Sequence, residues 1–428
     1  MKVAFYSLGC KVNAYETEFL INEFKKKGYK IVDFNEKADI YIINTCTVTN
    51  SSDQKSRKII RSACKNKDAI VVVMGCYSQI KPEIIKEIQG VSIVIGNKDK
   101  NKVVELVETY INDKENFQNI YDLSNAEFED MFLDNFENHT RAFVKIQDGC
   151  NNYCAFCIIP YSRGNVRSKK KEYVIDEVKA LVKNGYKEVV LTGIHTGHYG
   201  QDIKEYDFSD LLIELEKIDG LERIRISSIE IMELDDKFLG VLKNSKKIVD
   251  HIHIPLQSGC DKILKLMNRR YDMKFYIDRI NKIRNIRPNM AVTTDVIVGF
   301  PNETEEDFNI TKDNIKKLEF VELHVFPYSK RDGTVAAKMD NQVDGNIKKK
   351  RVKELINLSE ELKSSYYNKY IDTVDYVLSE TINNNIVTGH LSNYGKVKFE
   401  GNVDDLNKLI KVKLIKYEND CYLAKKIS

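Results

Sequence analysis

No stretch of this 428-residue chain is apolar for long enough to cross a bilayer, which excludes a membrane-spanning helix. Neither sign of charge dominates. Lys and Arg number 67 against 64 Asp and Glu, a formal net charge of +3, too small by itself to assign the chain to nucleic acid. There is no long-period repeat and no low-complexity tract, so repeat arrays and disordered scaffolds are excluded. The first residues, Met1-Lys2-Val3-Ala4-Phe5-Tyr6-Ser7-Leu8-Gly9-Cys10, read as a strand and not as a secretory leader. The expected location is the cytoplasm, with no membrane partner. At 42% hydrophobic and 31% charged residues, the composition is that of a globular protein, and the length predicts two or three domains. The local basic runs Lys25-Lys26-Lys27, Lys169-Lys170-Lys171 and Lys348-Lys349-Lys350-Arg351 read as solvated helix ends.

Nine cysteines are present, and in a reducing compartment they argue for metal binding or catalysis over disulfides. Three fall in one run, Cys150-Asn-Asn-Tyr-Cys154-Ala-Phe156-Cys157. A closed zinc site takes four ligands, usually as two pairs, and no second pair lies nearby. Three thiolates around an iron–sulfur cube leave one iron open to a small molecule. A structural metal knuckle or a disulfide pair is the other reading of these residues. C-x3-C-x2-C with an aromatic before the last cysteine resembles the signature of radical S-adenosylmethionine enzymes. The resemblance implies a 4Fe-4S cluster whose open iron chelates S-adenosylmethionine and injects an electron, with Phe156 packed beside the adenine or the cluster.

Upstream, strand-like runs at 2–8, 38–44, 69–75 and 92–96 alternate with helical patterns near 15–28, 52–66 and 81–90. The alternation predicts a parallel sheet covered by helices, in which sites form beyond the carboxyl ends of the strands. Cys10, Cys46 and Cys76 each close a strand, and a glycine precedes Cys10 and Cys76, as tight strand-to-loop turns prefer. Three thiolates again predict a cluster with an open iron; buried core cysteines are the alternative. The strings Gly-Cys10-Lys-Val-Asn-Ala-Tyr-Glu, Asn-Thr-Cys46-Thr-Val-Thr-Asn and Gly-Cys76-Tyr resemble the N-terminal domain of methylthiotransferases, which implies that this second cluster is present. Cys64, Cys260 and Cys421 read as buried or incidental thiols. The polar segment 111–140 reads as a linker with one short amphipathic piece, Met131-Phe132-Leu133. The expected units are 1–125, a linker at 126–140, then 141–365 and 366–428.

In the central unit six strand-like runs, at 142–147, 187–191, 222–228, 249–254, 291–298 and 320–326, alternate with helical patterns at 171–184, 208–217, 235–244, 273–286 and 304–317. They predict a partial (β/α)6 barrel with its active residues at the carboxyl ends of the strands. Gly193 and His195 end the second strand, and the resemblance implies that backbone there holds the amino group of S-adenosylmethionine. Arg225, Ser227 and His253 are costly to bury unpaired. With Glu230, Gln257 and Asp295 they are cofactor-pocket candidates, internal hydrogen-bonded packing being the alternative. The Gly299-Phe300-Pro301 turn helps hold the adenine in the family it resembles. His251 and His253 share a strand face but lack partners for a metal site. Arg163, beside the cysteine run, is placed to orient an anionic group. Arg163, Lys330 and Arg331 are candidate RNA contacts, solvated loop charges being the other reading of the last two.

After a Lys- and Glu-rich helical stretch at 345–370, short alternating runs at 373–379, 385–391, 395–399, 409–417 and 421–426 predict a small OB-like barrel. This tail resembles a TRAM domain, which implies RNA binding. Lys396, Lys398, Lys411, Lys413 and Lys416 alternate along two strands and predict a basic face. Asp405-Leu-Asn407-Lys408 stands where family members often have glycine, and asparagine also accepts a left-handed turn.

Over the whole α/β chain the resemblance implies a methylthiotransferase that inserts CH3–S into an unreactive C–H bond. S-adenosylmethionine serves as radical source at Cys150, Cys154 and Cys157 and as methyl donor, while the cluster on Cys10, Cys46 and Cys76 holds the sulfur. The strings Asn44–Asn50, Asp148–Cys154, Leu191–Gly197 and Met267–Tyr271 most resemble the branch acting on N6-threonylcarbamoyladenosine beside the tRNA anticodon. The expected partners are the anticodon stem-loop, a sulfur donor and an electron donor such as flavodoxin or ferredoxin. Related enzymes act on N6-isopentenyladenosine or on an aspartate of a ribosomal protein. A non-catalytic iron–sulfur RNA sensor and a zinc-stapled RNA-binding protein are the readings from other classes.

Overall fold

Runs rich in Ile and Val build the first layer. In the computed structural model, which describes residues 1–136 and 139–427, six parallel strands lie in the order Lys30–Val32, Lys2–Ser7, Ile40–Thr45, Ile70–Gly75, Ile93–Ile95, Phe117–Asn119. Ile40–Thr45 and Ile70–Gly75 are buried throughout, as central strands covered on both faces must be. Leu20 and Phe24 of the helix Lys11–Lys26 pack on one face with Val103 and Val107. Ile60 and Ala63 of the helix Asn50–Ala63 pack on the other. The strands at 30–32 and 117–119 are absent from the sequence expectation: both are short edge strands, half-buried or exposed, and lack the continuous apolar run of the central strands. Ser7 pairs with Asn44 and Thr45 with Gly75, so three chain segments leave the sheet side by side.

Six more strands run parallel in chain order: Arg141–Lys145, Glu188–Thr192, Arg223–Ile226, His251–His253, Ala291–Val298 and Glu322–Pro327. They form two three-stranded sheets joined by the parallel bridge Ile224–Ile248, the expected partial barrel. Its core takes Val144, Leu191, Ile226 and Val292 from the strands and Val178, Leu212 and Ile280 from the surrounding helices. Met131, Leu133 and Phe136 enter the same core, so the stretch expected to be a linker is packed down there. The Met131 carbonyl accepts from Lys169 Nζ at 2.6 Å and lies 2.7 Å from the Tyr15 hydroxyl.

The last five strands close a barrel in the order Val374–Asn383, Ile386–His390, Lys396–Glu400, Cys421–Lys426, Leu409–Glu418, filled by Val387, Val397, Phe399, Leu414 and Tyr422. Asn407 adopts a φ of 58°, the left-handed turn expected at that point. Arg223 seats this barrel under the central one, donating to the carbonyls of His390 at 3.0 Å and Tyr376 at 2.6 Å. Lys396, Lys398, Lys411 and Lys413 point outward. Lys413 pairs in register with Lys425, which extends the basic face by a residue the sequence pattern did not flag.

The packing of 131–136 predicts an asymmetry. Phe136 is 2% exposed and Phe132 47%. Phe136→Ala is expected to cost about 3–5 kcal/mol in urea unfolding, and Phe132→Ala about 0.5 kcal/mol or less. Equal effects would show that the segment is not part of the core.

Candidate active site

Cys10, Cys46 and Cys76 follow the carboxyl ends of three adjacent strands. Two glycines bring them together. Gly9 has φ +100°, and a Cβ there would stand 2.9 Å from Cys46 Cβ; Gly75 has φ +101°, and its Cβ would stand 2.8 Å from the Thr45 carbonyl oxygen. Only glycine fits either position without strain. Asn13 then stitches the loops, its Nδ2 donating to the carbonyls of Leu8 at 2.6 Å and Thr45 at 3.1 Å. Asn97 Nδ2 lies 3.4 Å from Cys76 Sγ.

Arg163 belongs to the short helix Ile159–Arg163 that follows the other cysteine run, yet its Nε lies 3.3 Å from Cys76 Sγ. Its Nη1 reaches Glu16 at 3.1 Å and Asp148 at 3.0 Å. Lys100 and Lys145 reach Glu16 at 2.5 and 2.9 Å, and Arg167 reaches Asp148 at 3.4 Å. All six groups are buried. Burial works against charge on Glu16 and Asp148, but Arg163 and the lysines outweigh it and hold both carboxyls well below their ordinary range. Four cations here face two fully buried carboxylates, with the half-buried Glu129 close by. Thiolate sulfur is the counter-charge such an excess favours. Arg163 therefore does not face RNA as expected from sequence; it is walled into the seam between the two cysteine sites.

At the second triad, Cys150 Sγ lies 3.7 Å from His195 Nδ1, and His195 Nε2 lies 3.1 Å from Glu233. Burial disfavours a proton on His195, yet its hydrogen bonds to Cys150 and Glu233 raise it to about 10. Cys154 Sγ accepts from Arg269 at 3.3 Å, and Arg269 pairs with Glu230. Cys157 lines an apolar cleft of about 230 Å³ with Phe156, Gln257 and Asp295. Val48 and Thr49, just past Cys46, form part of the same wall. The loop that follows Cys46 thus borders the cleft that holds Cys157, and Arg163 bridges the two cysteine sites. Among the described residues, neither set of three sulfurs comes wholly within 4.8 Å. Three thiolates on one zinc at 2.3 Å would stand about 3.8 Å apart, so neither triad is set for a single zinc.

The other expected site residues divide. His253 reaches Thr293 at 3.0 Å and Asp295 at 3.4 Å, inside the barrel. Glu230 lines a second cleft of about 190 Å³ with Cys154 and Arg269. The Ser227 amide is spent on the Leu191 carbonyl at 3.0 Å. Gly193 packs on Gln147, whose Oε1 accepts from the His195 amide at 2.8 Å, so that backbone donor already has a partner. Phe300 is fully buried against Tyr328 and lines neither cleft, while Gly299 supplies a turn at φ +70°. Arg331 is 5% exposed and clamps the Cys46 loop, donating to Thr47 and Asn50 at 2.7 Å and Asp53 at 2.9 Å. It is a structural tie and not the expected RNA contact; Lys330 beside it is exposed. Cys64 caps a helix, Cys260 meets Asp307 at 3.4 Å and Cys421 is buried. The sequence reading assigned no role to Asn13, Glu16, Arg269 or Lys100. Asn13 and Glu16 stand in the Cys10 string and Arg269 in the Met267–Tyr271 string; Lys100 carried no signal.

Fold and site together define a radical S-adenosylmethionine enzyme. Residues 144–315 match the Radical SAM superfamily and residues 2–96 match an uncharacterized protein family, UPF0004. The threonylcarbamoyladenosine tRNA methylthiotransferase MtaB of Bacillus subtilis is 49% identical over 97% of this chain and 94% of its own length. Its namesake from Aquifex aeolicus is 40% identical over 96% and 100%. The tRNA-2-methylthio-N(6)-dimethylallyladenosine synthase of Clostridium tetani is 36% identical over 95% and 92%. Among solved structures, the radical S-adenosylmethionine methyltransferase TsrM of Kitasatospora setae, with cobalamin and a [4Fe-4S] cluster bound, shares the fold at TM-score 0.58 and 14% identity over 78% of this chain and 77% of that one. The chain belongs to the tRNA methylthiotransferase family.

Two independent clusters predict a stepwise iron count. The anaerobically reconstituted protein is expected to hold about eight irons, and Cys76→Ala or Cys154→Ala about four each. Either variant retaining the full complement would contradict the assignment of its triad.

Proposed function

We propose that this protein transfers a methylthio group to C2 of N6-threonylcarbamoyladenosine beside the tRNA anticodon. The observation that carries the reading is a pair of three-cysteine sites bridged by Arg163, which follows Cys157 in sequence and lies 3.3 Å from Cys76 Sγ, in a chain whose relatives at 49% and 40% identity bear that activity in their names. Cys150, Cys154 and Cys157 would hold one 4Fe-4S cluster and Cys10, Cys46 and Cys76 the other. When bound, the clusters and S-adenosylmethionine supply the one-electron chemistry, the sulfur and the methyl group.

The chain's own residues prepare that chemistry. Arg163 and Arg269 each put a guanidinium 3.3 Å from a cysteine sulfur, one cation beside each three-cysteine site. Arg331 fixes the Cys46 loop to the central unit, so the first site keeps its orientation toward the second. The apolar walls given by Phe156, Ile158 and Ile297 exclude water, which would otherwise quench a reactive carbon species. Gln257, Asp295 and His253 offer polar groups for the cofactor's sugar and base. Lys396, Lys398, Lys411 and Lys425 of the closing barrel meet the phosphates of the stem. A sulfur donor and a reductant such as flavodoxin or ferredoxin complete the cycle in the cytoplasm.

Nucleoside mass spectrometry of bulk tRNA tests the reading: loss of the gene should remove the 2-methylthio form of threonylcarbamoyladenosine and leave its precursor. Unchanged methylthio nucleosides would refute it. Replacing Lys396 and Lys398 by Gln should weaken tRNA binding and flatten its dependence on log salt by about two; an unchanged slope would remove this face from the RNA site.

A further inference from the structure

Inside the partial barrel, register sets the inward side chains in rows. Phe143, Val190 and Arg225 stand side by side, and Arg141, Glu188 and Arg223 form the row beneath. A cavity of about 160 Å³ opens here, lined by Lys11, Arg141, Phe143, Val190, Arg225 and Tyr394. Arg225 is 2% exposed. Its Nε donates to Glu188 at 2.7 Å, while Nη1 and Nη2 have no partner among the described residues. Tyr394, from the closing barrel, lies 4.5 Å beneath the guanidinium and holds it flat. The ring of His251 stacks on the same tyrosine at 5.0 Å, and its buried Nδ1 is also without a partner. Arg141 is paired with Glu380 at 3.2 Å. The cations Lys11, Arg141, Arg223 and Arg225 thus face two carboxylates, Glu188 and Glu380. Two free N–H groups on a buried guanidinium fork match the two oxygens of one carboxylate, and leaving them unpaired is costly.

Lys11 directly follows Cys10, so the cavity adjoins the first cysteine site. C2 and N6 lie on the same edge of adenine, and a substituent on N6 can run into the barrel while C2 stays by the cysteines. Threonylcarbamoyl ends in a carboxylate; dimethylallyl has no polar group. Building on the activity proposed above, we infer that Arg225, supported by Lys11, binds the threonyl carboxylate and selects this nucleoside over uncharged N6 substituents.

The test compares anticodon stem-loops carrying threonylcarbamoyladenosine as the free acid, as its neutral methyl amide, and carrying dimethylallyladenosine. The reconstituted holoenzyme should favour the acid over the amide by about tenfold or more in kcat/KM. Arg225→Met should bring that ratio near one, Arg225→Lys should restore part of it, and Lys11→Met, at a less buried position, should lower it without touching the core. Equal use of acid and amide by the wild type overturns the inference and leaves the proposed activity standing. Action on the dimethylallyl stem-loop and on neither of the others overturns both. S-adenosylmethionine also carries a carboxylate. Should Arg225→Met weaken S-adenosylmethionine binding as much as it weakens the acid stem-loop, the pocket holds the cofactor and the inference fails.

Discussion

One guanidinium joins the two halves of the reaction centre. Arg163 follows the second cysteine run in sequence and touches a cysteine of the first in space, while Glu16 and Asp148 hold it from either side. Removing one partner from such a buried set leaves uncompensated charge, a loss of about 3–5 kcal/mol. The same contacts tie the cysteine loops of the first sheet to the first strand and cysteine loop of the barrel. The excess of cations in the seam matches sulfur ligands that carry negative charge. The contact that aligns the domains is therefore also the contact that conditions one of the metal sites.

A second constraint is closure. The partial barrel lacks the strands that would complete a ring, and other parts of the chain cover its openings. Arg331 ties the Cys46 loop to the carboxyl end of the last barrel strand, and Arg223 and Tyr394 bring the terminal barrel under the opposite end. The central unit so covered holds a polar, cationic cavity at Arg225 and a separate apolar cleft beside Cys157. Such a division suits a nucleoside with a charged arm held close to water-sensitive chemistry.

Much of this was legible in the residues. Strand runs such as Ile40–Thr45 and Ala291–Val298 announce themselves by β-branched content, and the alternation in Lys396–Glu400 gives a half-buried strand. The cysteine triads were legible because their chemistry depends on residue type and count. Burial was not. Arg163, Arg225 and Arg331 read alike in one dimension, yet the first anchors a seam, the second faces a cavity and the third clamps a loop. Charge in a sequence suggests solvent unless the partners are known, and Glu16, Asp53 and Glu188 lie far from them along the chain. Phe300 misled in the opposite sense, since an apolar residue in a turn packs equally well on a neighbour or on a ligand. In the 131–136 segment the amphipathic piece Met131-Phe132-Leu133 was legible, but Phe136, buried with Met131 and Leu133, was not.

The central claim is that two metal centres, each tethered by three cysteines, lie close together on either side of the seam that Arg163 spans. Electron paramagnetic resonance of the fully reduced protein tests it most directly, against two variants in which one triad or the other is replaced by alanine. Close clusters should interact magnetically, so the intact protein's spectrum should differ from the sum of the two single-cluster spectra. A spectrum equal to that sum, from protein with both clusters fully loaded and reduced, would contradict the account.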